Sequence, residues 1–112
     1  MDTVSSHRRA LATISANYSD RAAHLNNLGL VLQMLYGRTR EMPTLNEAVE
    51  VSRAAVVATP TNHANRGGRL NILGLALRLL YERTREIAVL NEAVSVLREA
   101  VATTPTGPMP LS

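Results

Sequence analysis

The sequence predicts an all-α fold made of repeated helical hairpins, and three observations carry that prediction. First, the chain repeats itself. The 41 residues from Asp20 to Pro60 align without gaps on those from Asn65 to Pro105, an offset of 45, and 24 of the 41 aligned pairs are identical. Self-similarity at a fixed period marks a duplicated supersecondary unit whose copies bury their apolar faces on one another. Second, the apolar residues recur at intervals of three and four, the period of a helix face. Third, Thr59-Pro60 and Thr104-Pro105 close the two copies at the same place, and a residue before proline avoids the α region.

Each copy divides into two helices. Leu25, Leu28, Leu32, Leu35 and Tyr36 form the apolar stripe of the first, and Leu70, Leu73, Leu77, Leu80 and Tyr81 repeat it. Leu30, Val31 and Met34, with Leu75, Ala76 and Leu79 in the second copy, widen the face, so this helix is expected to be covered on two sides. Asp20 and Asn65 precede these stripes and are expected to act as N-caps by accepting free N–H groups. Arg-Thr-Arg-Glu follows at 38–41 and again at 83–86. Thr39 and Thr84 are expected to cap the second helix, with Glu41 and Glu86 in its first turn near the positive end of the helix dipole. Pro43 then falls in that first turn, where few N–H groups have acceptors to lose. The second helix carries Leu45, Ala48, Val49, Ser52, Ala55 and Val56, and its copy carries Leu90, Ala93, Val94, Leu97, Ala100 and Val101.

The N-terminus fits the same scheme. Setting residues 4–12 on 49–57 places Val4 on Val49, Arg8 on Arg53, Ala10 on Ala55 and Leu11 on Val56. The expected organisation is therefore a repeat domain over 1–105. It comprises a lone second helix in 1–19, full units in 20–64 and 65–105, about five helices in all, and a Pro-rich, disordered tail in 106–112.

Composition narrows the function classes. Apolar residues make up 46%, yet Phe and Trp are absent, so the core is built from Leu, Val, Ala, Ile and Met. No apolar run reaches the roughly 20 residues that span a bilayer; Asn71 and Arg78 interrupt the nearest approach, Leu70 to Leu80. No signal-peptide pattern opens the chain. His7, Arg8 and Arg9 among serines faintly suggest a presequence, but Asp2 and the repeat register speak against one. With no cysteine, disulfides, thiolate metal sites and a Cys nucleophile are excluded. These features together fit a cytoplasmic protein with no membrane contact, in which the Asn17-Tyr18-Ser19 sequon is incidental. All 12 cations are Arg, and the net charge is only +3. They are spread along the chain among Glu residues rather than gathered on one face, so a nucleic-acid partner is not expected.

The repeats resemble tetratricopeptide repeats. Leu28-Gly29 and Leu73-Gly74 match the Leu-Gly pair in that family's first helix. Ala48, Ala55 and Pro60 match the small, small, proline spacing of its second, as do Ala93, Ala100 and Pro105. The resemblance implies a right-handed α-solenoid of antiparallel hairpins in which small residues let helices approach. Departures are also present. The period is 45, against about 34 in the family, with longer connections both within and between units. Leu25/Leu70, Leu32/Leu77 and Ser52/Leu97 replace the usual aromatics. With its Asn-Leu-Gly and Leu-Asn-Glu-Ala blocks, this longer form is similar to the degenerate arrays of fungal and actinobacterial multidomain proteins, which often precede a caspase-like domain.

The resemblance further implies a scaffold that binds a protein or peptide in a concave groove lined by the first helices. It places Asn26, Gln33, Asn71 and Arg78 in that groove. Carboxamides can hydrogen-bond an extended backbone, and Arg78 can pair with a carboxylate. Leu30, Ile72 and Leu75 stand where the family's clamp for acidic chaperone tails carries polar residues, so that ligand is not expected. No catalytic, cofactor or metal site is expected either. His7, His24 and His63 lie far apart without metal-ligand spacing, and Glu41/Glu86 and Glu47/Glu92 recur because the unit recurs. Gly67-Gly68, between Arg66 and Arg69, reads as a weakened helix start in preference to an anion site. The last helix presents Leu90, Val94, Leu97 and Val101 as a stripe that a further unit, or a second copy in a homo-oligomer, would cover.

Overall fold

The computed structural model describes residues 18–103, and every regular element among them is an α-helix. In chain order these are α1 (Tyr18–Thr39), α2 (Met42–Val57), α3 (Arg66–Thr84) and α4 (Ile87–Thr103). The all-α expectation is met with four helices. The fifth, expected before residue 18, lies outside the described residues, as do Thr104, Pro105 and the tail.

The helix boundaries correct three expected caps and leave the fourth without its side-chain bond. α1 already includes Tyr18 and Ser19, so Asp20 sits in its first turn rather than at its N-cap. Asn65 is the N-cap of α3, but in αR geometry (φ −89, ψ 0) and with no side-chain capping bond. An N-cap side chain reaches its N–H groups from extended backbone, which explains the missing bond. Thr39 and Thr84 close α1 and α3 and do not open α2 and α4. Their hydroxyls accept from the N–H of Glu41 (3.3 Å) and Glu86 (3.2 Å). Between them the chain reverses on Arg40 and Arg85, both left-handed with φ 60. Such residues commonly end helices, but usually as Gly. Here each N–H donates to the tyrosine carbonyl four residues back at 2.7 Å. Each guanidinium also lies over that tyrosine's ring, 5.4 Å from the Tyr36 centroid and 5.6 Å from that of Tyr81. The cation–π contact offsets part of the left-handed strain. Pro43 falls in the first turn of α2, as expected.

Packing follows chain order. α1 lies on α2, α3 on α4, α2 on α3, and α1 touches α3 more lightly. The larger apolar cluster joins three helices. It contains Val49 and Val56 of α2, Leu70, Leu73, Ala76 and Leu77 of α3, and Ala93 and Ala100 of α4. A smaller one holds Leu28 and Leu32 of α1 against Ala48 of α2. Each fully buried leucine contributes about 1.5–3 kcal/mol. Two-sided covering of the first helices is only partly realised: Leu30, Met34 and Leu35 of α1 are exposed, as is Leu75 of α3, whereas Ala76 is buried.

The two Leu-Gly pairs set how closely the helices approach. A Cβ built on Gly29 would overlap the Ser52 hydroxyl and lie 3.4 Å from its Cβ; one on Gly74 would lie 2.6 Å from Leu97 Cγ. Gly29 therefore lets α1 come close to the α2 backbone at Ser52, and Gly74 makes room on α3 for the Leu97 side chain, despite the roughly 1 kcal/mol that Gly costs a helix relative to Ala.

Polar bonds then tie one hairpin to the next. Arg66 reaches back to the carbonyls of Val56 (3.1 Å) and Thr59 (2.8 Å) and forward to Glu99 (2.9 Å). A cation is favourable beside the last carbonyls of α2. Arg83 donates to the Tyr36 hydroxyl at 2.9 Å and to the Arg40 carbonyl at 3.0 Å. Arg53 forms a two-pronged pair with Glu92 at 3.1 and 2.8 Å. Burial pushes the Tyr36 phenol up, but the hydrogen bonds and charges of Arg83 and Arg40 hold it, on balance, below the usual tyrosine value.

This geometry yields two predictions. Gly29→Val should overpack the α1–α2 contact and lower unfolding stability by about 2 kcal/mol; an unchanged urea midpoint would disprove the close-approach role. Arg66→Ala removes bonds to the carbonyl of Val56 in the last turn of α2, to that of Thr59 just beyond the helix and to a carboxylate, and should cost about 2 kcal/mol. Arg53→Ala, which breaks a largely solvated pair, should cost less than about 1 kcal/mol. Denaturant titrations that reversed this order would contradict the assignment of Arg66 as the main polar tie.

Candidate functional site: an asparagine-lined groove

An open groove of about 590 Å³ runs between α1 and the start of α3. Asn26 and Asn27 line it from α1, and Asn65, Gly68, Arg69 and Asn71 from the other side, over an apolar floor that includes Ala23 and Ile72. The local sequence explains its shape. The stripe of α1 turns Leu25 and Leu28 into the core, which puts Asn26 and Asn27 on the flank facing α3. The turn residues Ala64 and Asn65 and the absent side chain of Gly68 leave room at the other wall.

The groove is polar but only weakly charged. Asn26 is partly buried, and its Oδ1 atom is shielded from solvent with no hydrogen-bond partner among the described residues. Asn27, Asn65 and Asn71 are exposed. Arg69 is buried in the wall at 6% exposure, and its Nη1 donates to the Thr59 hydroxyl at 2.9 Å. That hydroxyl in turn donates to the Ala55 carbonyl at 2.6 Å. Burial pulls the Arg69 pKa below the ordinary guanidinium value.

The four residues expected in a groove are distributed unequally. Asn26 and Asn71 share this one. Gln33 and Arg78 do not line it: Gln33 Nε2 donates to the Ile72 carbonyl at 2.9 Å, and Arg78 pairs with Glu82 one turn on at 3.3 Å. Asn27, Asn65 and Arg69 are groove residues that sequence reasoning missed. Asn27 adjoins Asn26 and could have been found by extending the polar flank. Arg69 left no repeat signal, because His24 occupies its place in the first unit.

Of the expected terminal stripe, Leu90 and Leu97 are half-buried, whereas Val94 and Val101 are exposed. Among the described residues, no three of His, Asp and Glu gather where they could hold a metal ion. No described helix is long and apolar enough to cross a membrane. Compared with known proteins, the chain matches no family model, no curated protein and no solved structure.

Arg69→Met replaces a buried cation with an apolar side chain of similar length and should leave stability within about 1 kcal/mol of the original or raise it. A loss above about 2 kcal/mol in denaturant unfolding would show that the guanidinium has a stronger structural partner than Thr59.

Proposed function

We propose that this chain is a protein-interaction module of tetratricopeptide type, in which the groove between α1 and α3 receives an extended segment of another protein. One observation carries the reading: four Asn side chains line a single groove, and three of them, Asn27, Asn65 and Asn71, are exposed in it. Carboxamides both donate and accept, so they suit a peptide backbone, which offers both at every residue.

The hairpin order supports the repeat reading. Each helix packs mainly on its neighbours in sequence, as in α-solenoids, where each unit contacts only the adjacent ones. A role as a binding module rather than an enzyme is supported by how the acids are used: Glu92, Glu99 and Glu82 are held by Arg53, Arg66 and Arg78.

The test is a peptide-array screen with the labelled chain, followed by titration of the best-binding peptides. Asn26→Ala with Asn71→Ala removes bonds worth about 1 kcal/mol each, so affinity should fall about tenfold or more with helicity unchanged. Peptide binding that the double variant keeps in full would refute the groove.

A further inference from the structure

The duplication provides an internal control for how each helix is covered. At the offset of 45, Leu25, Leu28 and Leu32 of α1 correspond to Leu70, Leu73 and Leu77 of α3. The α3 leucines are at most 3% exposed, with α2 on one side and α4 on the other. The α1 leucines are at most 6% exposed. Yet among the described residues α1 has α2 as its one full neighbour and a lighter contact with α3. Leu25 belongs to neither apolar cluster. The α1 stripe is thus buried with one described neighbour fewer.

The residues before α1 carry the register of such a neighbour. Val4 and Leu11 stand at the places of Val49 and Val56, the two α2 residues in the core shared with α3. Arg8 stands at the place of Arg53, and Glu47 at that of Glu92. Arg53 and Glu92 are paired across the hairpin junction at 3.1 and 2.8 Å, with a sequence separation of 39. Arg8 and Glu47 have the same separation. Arg21 stands at the place of Arg66, which binds the carbonyls of Val56 and Thr59. The three kinds of contact that hold α2 to α3 therefore all recur, as residues, between the N-terminal segment and the first hairpin. Five residues, 13–17, link residue 12 to α1. They can span about 17 Å, more than the roughly 8–10 Å between packed helix axes.

We propose that residues 4–12 form a helix seated on α1 as α2 is seated on α3. Val4 and Leu11 lie on the stripe of Leu25, Leu28 and Leu32, Arg8 pairs with Glu47, and Arg21 binds the Leu11 carbonyl. The occupant of this face of α1 is the chain's own N-terminal segment. A short link holds that segment at an effective concentration in the millimolar range, which favours it over an outside partner. Leu11 is the counterpart of a valine that is 8% exposed, whereas its neighbour Ala12 is the counterpart of Val57, which is 81% exposed. The proposal does not rest on the groove reading, since Asn26 and Asn71 take no part in it.

That difference between adjacent positions supplies the test. Leu11→Asp should speed amide exchange over residues 25–32 by about tenfold or more, because burying one leucine is worth at least that factor. Ala12→Asp should leave this exchange unchanged. The chain has no cysteine, so a thiol pair can be introduced cleanly. Arg8→Cys with Glu47→Cys should be joined by a short bis-maleimide within a single 12.1 kDa chain. Arg9→Cys with Glu47→Cys, about 100° further round the helix, should be joined far less. Equal exchange in the two aspartate variants, equal joining of the two thiol pairs, or joining that yields two-chain products would each overturn the proposal.

Discussion

The close approach of two helices at Gly29 and at Gly74 is the constraint on which the rest of the structure depends. Where a Cβ would overlap Ser52 or Leu97, the helices of each hairpin come near enough for small residues on their partners, Ala48 and Ala93, to be fully covered. Between the hairpins, α2 and α3 share the larger apolar cluster. Arg66, at the start of α3, reaches the carbonyls of Val56 in α2 and of Thr59 just beyond it. Wider spacing would leave voids that leucine and valine could not fill, and this chain has no Phe or Trp to bridge them.

The two copies show how one sequence pattern produces different surroundings. Tyr36 is buried beneath Arg40 and Arg83, the second contributed by the following hairpin; among the described residues Tyr81 has only Arg85 over its ring, and it is half-buried. Leu97 fills the place that Ser52 occupies in the first unit, where the Ser52 hydroxyl is buried without a hydrogen-bond partner among the described residues. Unpaired burial of a hydroxyl costs about 1–3 kcal/mol. The first unit therefore carries a polar group at its tightest contact, where the second has an apolar one.

Much of this was legible in the residues. The offset of 45 and the leucine spacing identified the hairpins, their core and their order, because repetition and helical period are direct records of which face is buried. The caps were less legible. Thr in Arg-Thr-Arg-Glu looks like the start of a helix, but the turn is made by arginine in a left-handed conformation, which sequence preference assigns to Gly or Asn. The stacking of that arginine on a tyrosine four residues back is what makes the exception tolerable, and it appears only once both are placed. The candidate site was half legible. Asn26 and Asn71 follow from their position before the Leu-Gly pair. The wall supplied by Asn65 and Arg69 depends on how the connection between hairpins enters α3, and no periodicity encodes that.

The Arg83 bonds run in one direction, from the second hairpin to the turn of the first. Each turn is thus latched by the hairpin after it, and within the described residues the turn at Arg85 has no such latch. Amide protons around Tyr36 to Arg40 should therefore exchange with solvent through openings that must first detach α3, while those around Tyr81 to Arg85 need only local fraying. The molecule carries a polarity of cooperativity along its length, although its two halves are near-copies in sequence.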